Sequence, residues 1–158
     1  MRFSSCLYEK ERNRLPQMSY ASQGSQMTRQ NFPGTSPYEP IIGFSRAVRV
    51  GDCISVSGTG PVGADEGDAA AQTKRIFEIA GEILHRAGAT WNDVVRTRMY
   101  LTDAADWEAI GRVHGEYFSA IRPASTMVVV AALLNPKWRV EIEFDAVLSS
   151  TDSSVKGQ

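Results

Sequence analysis

Two spacings of apolar residues divide this chain into elements. Across residues 46–50, Ala47, Arg49 and Gly51 alternate with Val48 and Val50, and across 53–57 Ile54 and Val56 alternate with Cys53, Ser55 and Ser57. A period of two predicts strands. Gly51-Asp52 between them predicts a tight hairpin, because the first residue of such a turn takes positive φ. Residues 57–67 are rich in glycine and acid and read as a loop. The spacing then changes to that of a helix over 68–87, where Ile76, Ile79, Ala80, Ile83 and Ala87 recur on one side and Phe77 and Leu84 widen the stripe. Gly88 is a suitable stop. A strand follows at 94–101. Thr102-Asp103 offers an N-cap for a second helix at 104–119, with an apolar face of Trp107, Ile110, Val113, His114, Tyr117 and Phe118, and Pro123 blocks its continuation. Residues 125–133 are almost wholly apolar, which predicts a central strand buried on both faces. Asn135-Pro136 marks a turn, and 138–147 is the last strand. The order is β-β-α-β-α-β-β, an α+β domain.

The last strand sorts its residues most sharply. Val140, Ile142 and Phe144 point one way; Arg139, Glu141, Glu143 and Asp145 point the other. The strand at 94–101 repeats this, with Thr97, Met99 and Leu101 on one face and Arg96, Arg98 and Tyr100 on the other. The apolar faces are expected under both helices. The other face alternates acid and base. It is either a solvated outer surface or a surface between subunits, where Arg98 pairs with Glu141 and lines a pocket.

The ends lack such order. Residues 1–35 read as a disordered tail, since the stretch at 19–30 is rich in Ser and Gln with no apolar periodicity. Residues 150–158 read as a frayed C-terminal tail, leaving 36–149 as the folded unit. With 158 residues the chain supports one domain with a real core. A net charge of -1 provides no global field to draw it to nucleic acid, and no basic stripe compensates. No apolar run approaches the ~20 residues that span a bilayer, so the expected compartment is the cytoplasm. A mitochondrial address is the weaker alternative, because Glu9 and Glu11 interrupt the N-terminal basic residues.

Metal and cofactor chemistry find no motif. Cys6 and Cys53 form no CxxC pair, and His85 and His114 lie outside any HExxH spacing. Cys53 is expected to be an inert buried thiol, and Trp107 and Trp138 packing residues. Gly58-Thr59-Gly60-Pro61-Val62-Gly63 matches GxGxxG literally. It follows a hairpin instead of opening a βαβ unit, and the acidic run Asp65-Glu66-Gly67-Asp68 is a poor cradle for phosphate. No cofactor is expected.

Four stretches together resemble one family, YjgF/RidA. The run from Gly43 through Phe44-Ser45-Arg46-Ala47-Val48 to Gly51-Asp52 is similar to its opening hairpin G-(P)-Y-S-x-A-V-x-x-G-(N/D). Val56-Ser57-Gly58-Thr59 is similar to V-S-G-Q. Asp93-Val94-Val95-Arg96-Thr97, with Tyr100-Leu101-Thr102-Asp103, resembles D-V-V-K-T-x-V-F-L-x-D. Val140-Glu141-Ile142-Glu143 with Ala146-Val147 resembles V-E-I-E-x-x-A-V. The resemblance covers about residues 41–147. It implies a chorismate-mutase-like subunit with two helices on one face of the sheet, and a homotrimer whose sheets form a barrel with clefts between neighbours. Active members hydrolyse reactive imines or enamines to a 2-keto acid and ammonia. An arginine in their P-A-R-S/T segment clamps the substrate carboxylate, and a glutamate in V-E-I-E positions or activates water.

Carried over residue by residue, Glu141 falls on that glutamate and is the candidate catalytic group. Ser57 and Gly58 fall on the pocket edge, and Phe44 stands where tyrosine is usual. Ser125 stands where the arginine belongs, Gly111 where asparagine is common and Met127 where cysteine often sits. Reaching Glu141 from Ser125 takes one extra residue in the 134–136 loop. A guanidinium grips a carboxylate through two charged hydrogen bonds, whereas serine offers one neutral donor. Standard 2-iminoacid substrates are therefore expected to bind weakly, and Arg98 is the candidate replacement clamp. His114 is either a core histidine or a ligand contact. The expected function is hydrolysis of an imine, enamine or related small carbonyl compound in a cleft between subunits. The alternative is a non-catalytic trimer that binds a small ligand. A ribonuclease role, a label also attached to the family, lacks its basic stripe.

Overall fold

The computed structural model describes residues 28–149. Six strands form one sheet: β1 (Arg29–Phe32), β2 (Ala47–Val50), β3 (Cys53–Thr59), β4 (Val94–Leu101), β5 (Ala124–Val129) and β6 (Val140–Val147). Their spatial order is β1-β2-β3-β6-β4-β5. Neighbours are antiparallel except β4 and β5, which run parallel. Two helices, α1 (Ala69–Arg86) and α2 (Trp107–Phe118), cover one face. Among the described residues no helix is long and apolar enough to cross a membrane.

The local signals act as expected. Gly51 takes φ +60° in the β2–β3 hairpin, a conformation a Cβ would disfavour. The Asp68 carboxylate accepts the Ala71 N–H at 2.8 Å and caps α1. Asp103 does the same for Ala105 at the short 3₁₀ turn Ala104–Asp106 that leads into α2. On α1 the buried stripe is Ile76, Phe77, Ala80, Ile83 and Leu84, extended by Gln72 and Thr73. It lies on the inner residues of β6, Val140, Ile142, Phe144 and Ala146, none more than 1% exposed. Phe77 and Phe144 meet edge to face at 5.5 Å, with Trp91, Tyr117 and Phe118 around them. Large side chains buried this way stabilise the fold by roughly 1.5–3 kcal/mol each.

Four expectations need correction. The stretch at 125–133 is not a central strand: β5 ends at Val129, occupies the sheet edge and is mostly exposed, Val128 by 42% and Val129 by 54%. Among the described residues β4 pairs with this strand and only its Met127 packs against the core, so apolar composition is a poor guide to its place in the sheet. Residues 29–32 are not tail. They form β1, held by backbone pairing to β2 instead of by apolar burial, so hydrophobic spacing gave no sign of it. Trp107 is not a packing residue: it is the first residue of α2 and 61% exposed, because the described residues do not extend over that end of the helix. Cys53 is exposed at the start of β3, not buried. Residues 1–27 and 150–158, with most of the two expected tails, lie outside the described residues.

Gln72 is the main polar group in the core. Its amide nitrogen donates to the carbonyls of Asp65 and Lys137 at 3.0 and 2.9 Å, and its oxygen accepts the Arg139 N–H at 2.7 Å. The Asp65 carboxylate in turn accepts from the Trp138 and Asn135 side chains at 2.7 and 2.9 Å. One side chain thus ties the β3–α1 loop to the entry of β6. Replacing Gln72 with leucine strands three backbone groups and should destabilise the fold by about 2–5 kcal/mol. Urea unfolding measures this, and a loss below about 0.5 kcal/mol would mean the network carries little.

Candidate active site

The inner residues of β6 fix where its charges go. With Val140, Ile142 and Phe144 facing the helices, Glu141, Glu143 and Asp145 must emerge on the open face. Arg98 emerges there too, as expected, but it does not pair with Glu141. In the β4–β6 ladder Arg98 lies opposite Glu143, and Tyr100 lies opposite Glu141. The Arg98 Nη1 atom is 3.4 Å from Glu143 and 3.1 Å from Asp145. Arg98 is therefore engaged one rung away, in a structural ion pair. Burial, together with the neighbouring Glu143 carboxylate, raises the Tyr100 phenol above its ordinary pKa.

Glu141 has different surroundings. It is half-buried and, among the described residues, makes no ion pair or side-chain hydrogen bond. Burial pushes its pKa above 4.5, the Glu143 charge adds to this, and Arg46 opposes it. It lies over Gly58, where the β3–β6 register shifts between Val56 and Thr59. A Cβ at Gly58 would come within 2.1 Å of the Glu141 Oε1 atom, so glycine is what lets the carboxylate occupy this place. The neighbouring Gly60 makes room in the same way for the Trp138 ring, 2.2 Å from where its Cβ would be. The glycines of the GxGxxG match thus accommodate side chains of the same chain.

Arg46 completes the recess. Its Nη1 donates to the Gly58 carbonyl at 2.7 Å and to the Thr59 hydroxyl at 3.3 Å. Its guanidinium carbon is 6.0 Å from the centre of the Phe44 ring. The Ser57 hydroxyl donates to the Ser45 carbonyl at 2.7 Å, which holds the hairpin entry against β3. Phe44, Ser57, Gly58 and Glu141 therefore all neighbour Arg46, a group that sequence reasoning missed. A signal for it existed: Ala47 pairs with Val56, so one residue earlier falls beside Ser57 and Gly58. Among the described residues Arg46 has no carboxylate within ion-pair distance.

Ser125 and His114 lie elsewhere, on the helix side of the sheet at its β5 edge, both next to Thr97. The expected site residues thus fall into two groups on opposite faces, which one chain does not bring together. Two surface concavities, of about 450 and 200 Å³, are lined by residues 63–67 with Asn135 and Lys137, and by residues around His85 and Trp91. Glu141 lines neither. Among the described residues no three His, Cys, Asp or Glu side chains gather as metal ligands would.

Known proteins share this arrangement of strands and helices. The family model described as endoribonuclease L-PSP matches residues 34–148. A 3-aminoacrylate deaminase, RutC, from Acinetobacter baylyi is 37% identical over 114 residues, covering 69% of this chain and 88% of that protein. A RutC family protein from Pyrococcus abyssi is 40% identical over 114 residues, covering 69% of this chain and 87% of that one. The crystal structure of a YjgF/YER057c/UK114 family member from Mycobacterium tuberculosis superposes with a TM-score of 0.72 at 44% identity, covering 77% of this chain and all of that one. The match over nearly the whole described unit, with the shared fold, makes this chain a member of the YjgF/RidA family.

Proposed function

We propose that the protein hydrolyses a small imine or enamine, releasing ammonia, in a recess around Glu141 that a neighbouring copy completes. The observation that carries this reading is the Glu141 carboxylate itself, half-buried, without a partner among the described residues and raised in pKa near an Arg46 guanidinium that is bonded to Gly58 and Thr59 and to no carboxylate there. A carboxylate serving only the fold would be paired, as Glu143 and Asp145 are. In the reaction Glu141 takes a proton from water, and the water oxygen attacks the carbon of the C=N bond. The nitrogen takes up a proton to give an amine, and Glu141 then passes the proton it took from water to that amine. The new hydroxyl loses its proton as C=O forms, the C–N bond breaks with its electron pair, and ammonia leaves. An enamine enters the sequence after a proton from solvent on its carbon converts it to the imine. Arg46, its Nη1 held by the Gly58 carbonyl, presents its remaining N–H groups to an anionic end of the substrate. The deaminase name of the Acinetobacter relative supports the reaction class.

The second copy follows from the exposed apolar residues. Val128 and Val129 on β5 and Leu134, which is 98% exposed, have nothing to cover them among the described residues. A homotrimer closing its sheets into a barrel would cover them and enclose the recess. Sedimentation equilibrium should give three chains per particle, and a stable monomer at micromolar concentration would remove the shared recess.

A non-catalytic ligand binder is favoured by one observation: Ser125, where the resemblance implies an arginine, is uncharged and already bonded to Thr97. Turnover separates the two readings. With 3-aminoacrylate or 2-aminoacrylate generated in situ, ammonia release should fall about 100-fold or more in Glu141→Gln. Gly58→Ala should lose a similar factor by displacing the carboxylate, yet unfold at nearly the wild-type urea concentration. Wild-type turnover no faster than the uncatalysed rate, or unchanged in Glu141→Gln, would leave the binder.

The pH dependence has a definite sign. Glu141 acts as a base only when ionised, so the acid limb of kcat/KM should lie above 4.5. Its folded-state pKa is raised, so the stability it confers is complete below the unfolded value and is lost as pH rises through the folded one. Glu141→Gln should therefore be as stable as wild type or more so at pH 7, with the difference vanishing below about pH 4. A variant less stable than wild type at pH 7 would make Glu141 a structural residue.

A further inference from the structure

The helix side of the sheet carries a hydrogen-bonded chain that the Glu141 recess does not use. Thr97 and Ser125 are partners in the parallel β4–β5 ladder, so their side chains leave the sheet on the same face. Their hydroxyl oxygens are 2.9 Å apart, and Thr97 Oγ1 is 3.0 Å from His114 Nε2 on α2. The Thr97 hydroxyl donates to Ser125 at rest. Turning both hydroxyls about their C–O bonds reverses that bond, so that Thr97 receives the Ser125 proton while passing its own to an unprotonated Nε2. Thr97 is fully buried, whereas Ser125 lies exposed at the sheet edge. The ring is faced by Thr97 of β4, Phe77 of α1 and Phe118 of its own helix, none of them charged. Burial alone lowers its pKa below the ordinary imidazole value, so at neutral pH the ring is uncharged and has a lone pair for a proton.

We propose that Ser125 is a nucleophilic hydroxyl, activated by His114 through Thr97, that takes acyl- or phosphonyl-type electrophiles. The Ser125 oxygen bonds to the electrophilic carbon or phosphorus. Its proton moves to Thr97 as the Thr97 proton moves to Nε2, and the bond to the leaving group breaks with its electron pair. The imidazolium then returns the proton along the same path to the leaving group or to water. Within one chain this site lies across the sheet from Glu141, and its test reads labelling of Ser125, a readout that imine hydrolysis does not enter.

The test uses the full chain and an alkyl fluorophosphonate, with the modified residue located by peptide mass spectrometry. On reaction a P–O bond forms at Ser125, the P–F bond breaks and fluoride leaves. Wild type should carry the adduct on Ser125, and Ser125→Ala should carry none. The labelling rate should fall about 10-fold or more in Thr97→Val and in His114→Gln, while Thr97→Ser keeps most of it. In wild type the rate should rise with pH through the acid side of the ordinary imidazole value and then level off. No adduct on wild-type Ser125, or equal rates in wild type and His114→Gln, would overturn the proposal. Circular dichroism checks that each variant folds; should Thr97→Val fail, His114→Gln with the pH profile decides alone.

Discussion

The strict alternation of β6 is the constraint on which the rest depends. Four of its side chains, Val140, Ile142, Phe144 and Ala146, are buried against the helices. A strand cannot send one of these inward without sending its neighbours outward. The three acids between them therefore emerge together on the open face, next to β3 on one side and β4 on the other. Slipping the register by one residue would bury three carboxylates and expose Phe144, which packs on Phe77 and Trp91 in the aromatic cluster. The core thus holds the acids in place more firmly than their own contacts do.

Once placed there, the three acids differ by what lies beside them. Glu143 and Asp145 have Arg98 across the β4 ladder and form ordinary ion pairs. Glu141 has Tyr100 across that ladder and, on the other side, the glycine where β3 bulges. The bulge brings the Gly58 carbonyl within reach of Arg46, so the guanidinium spends one donor on the backbone and stays close to the acid without pairing with it. A charge left part-buried and unpaired among the described residues costs stability, which is why Glu141 is the carboxylate assigned to the proposed reaction.

Much of this was legible in the spacing of residues. The β2–β3 hairpin, both helices, β4 and β6 with its two faces followed from periods of two and 3.6 and from their end signals. Glu141, Gly58, Ser57 and Phe44 were found from motif similarity, and the fold gathers them. The misses share a cause. β1 is held by backbone pairing, which leaves no side-chain pattern. β5 has the composition of a buried strand but sits on the edge, because hydrophobicity records that a surface is covered and not by what. The Arg98–Glu141 pair failed by one rung, since alternation assigns a face while pairing depends on register between strands. Arg46 and the Ser125–Thr97–His114 chain depend on contacts between residues far apart in sequence.

The central physical claim is that the Glu141 carboxylate is poorly hydrated and lacks a partner. Carboxyl-carbon NMR of glutamate-labelled protein, with Glu141→Gln to assign the resonance, measures this without reference to any substrate. A Glu141 midpoint clearly above 4.5 is the expected result. A midpoint at or below that value would mean that the group is solvated or paired, and the proposed water-activating base would be lost.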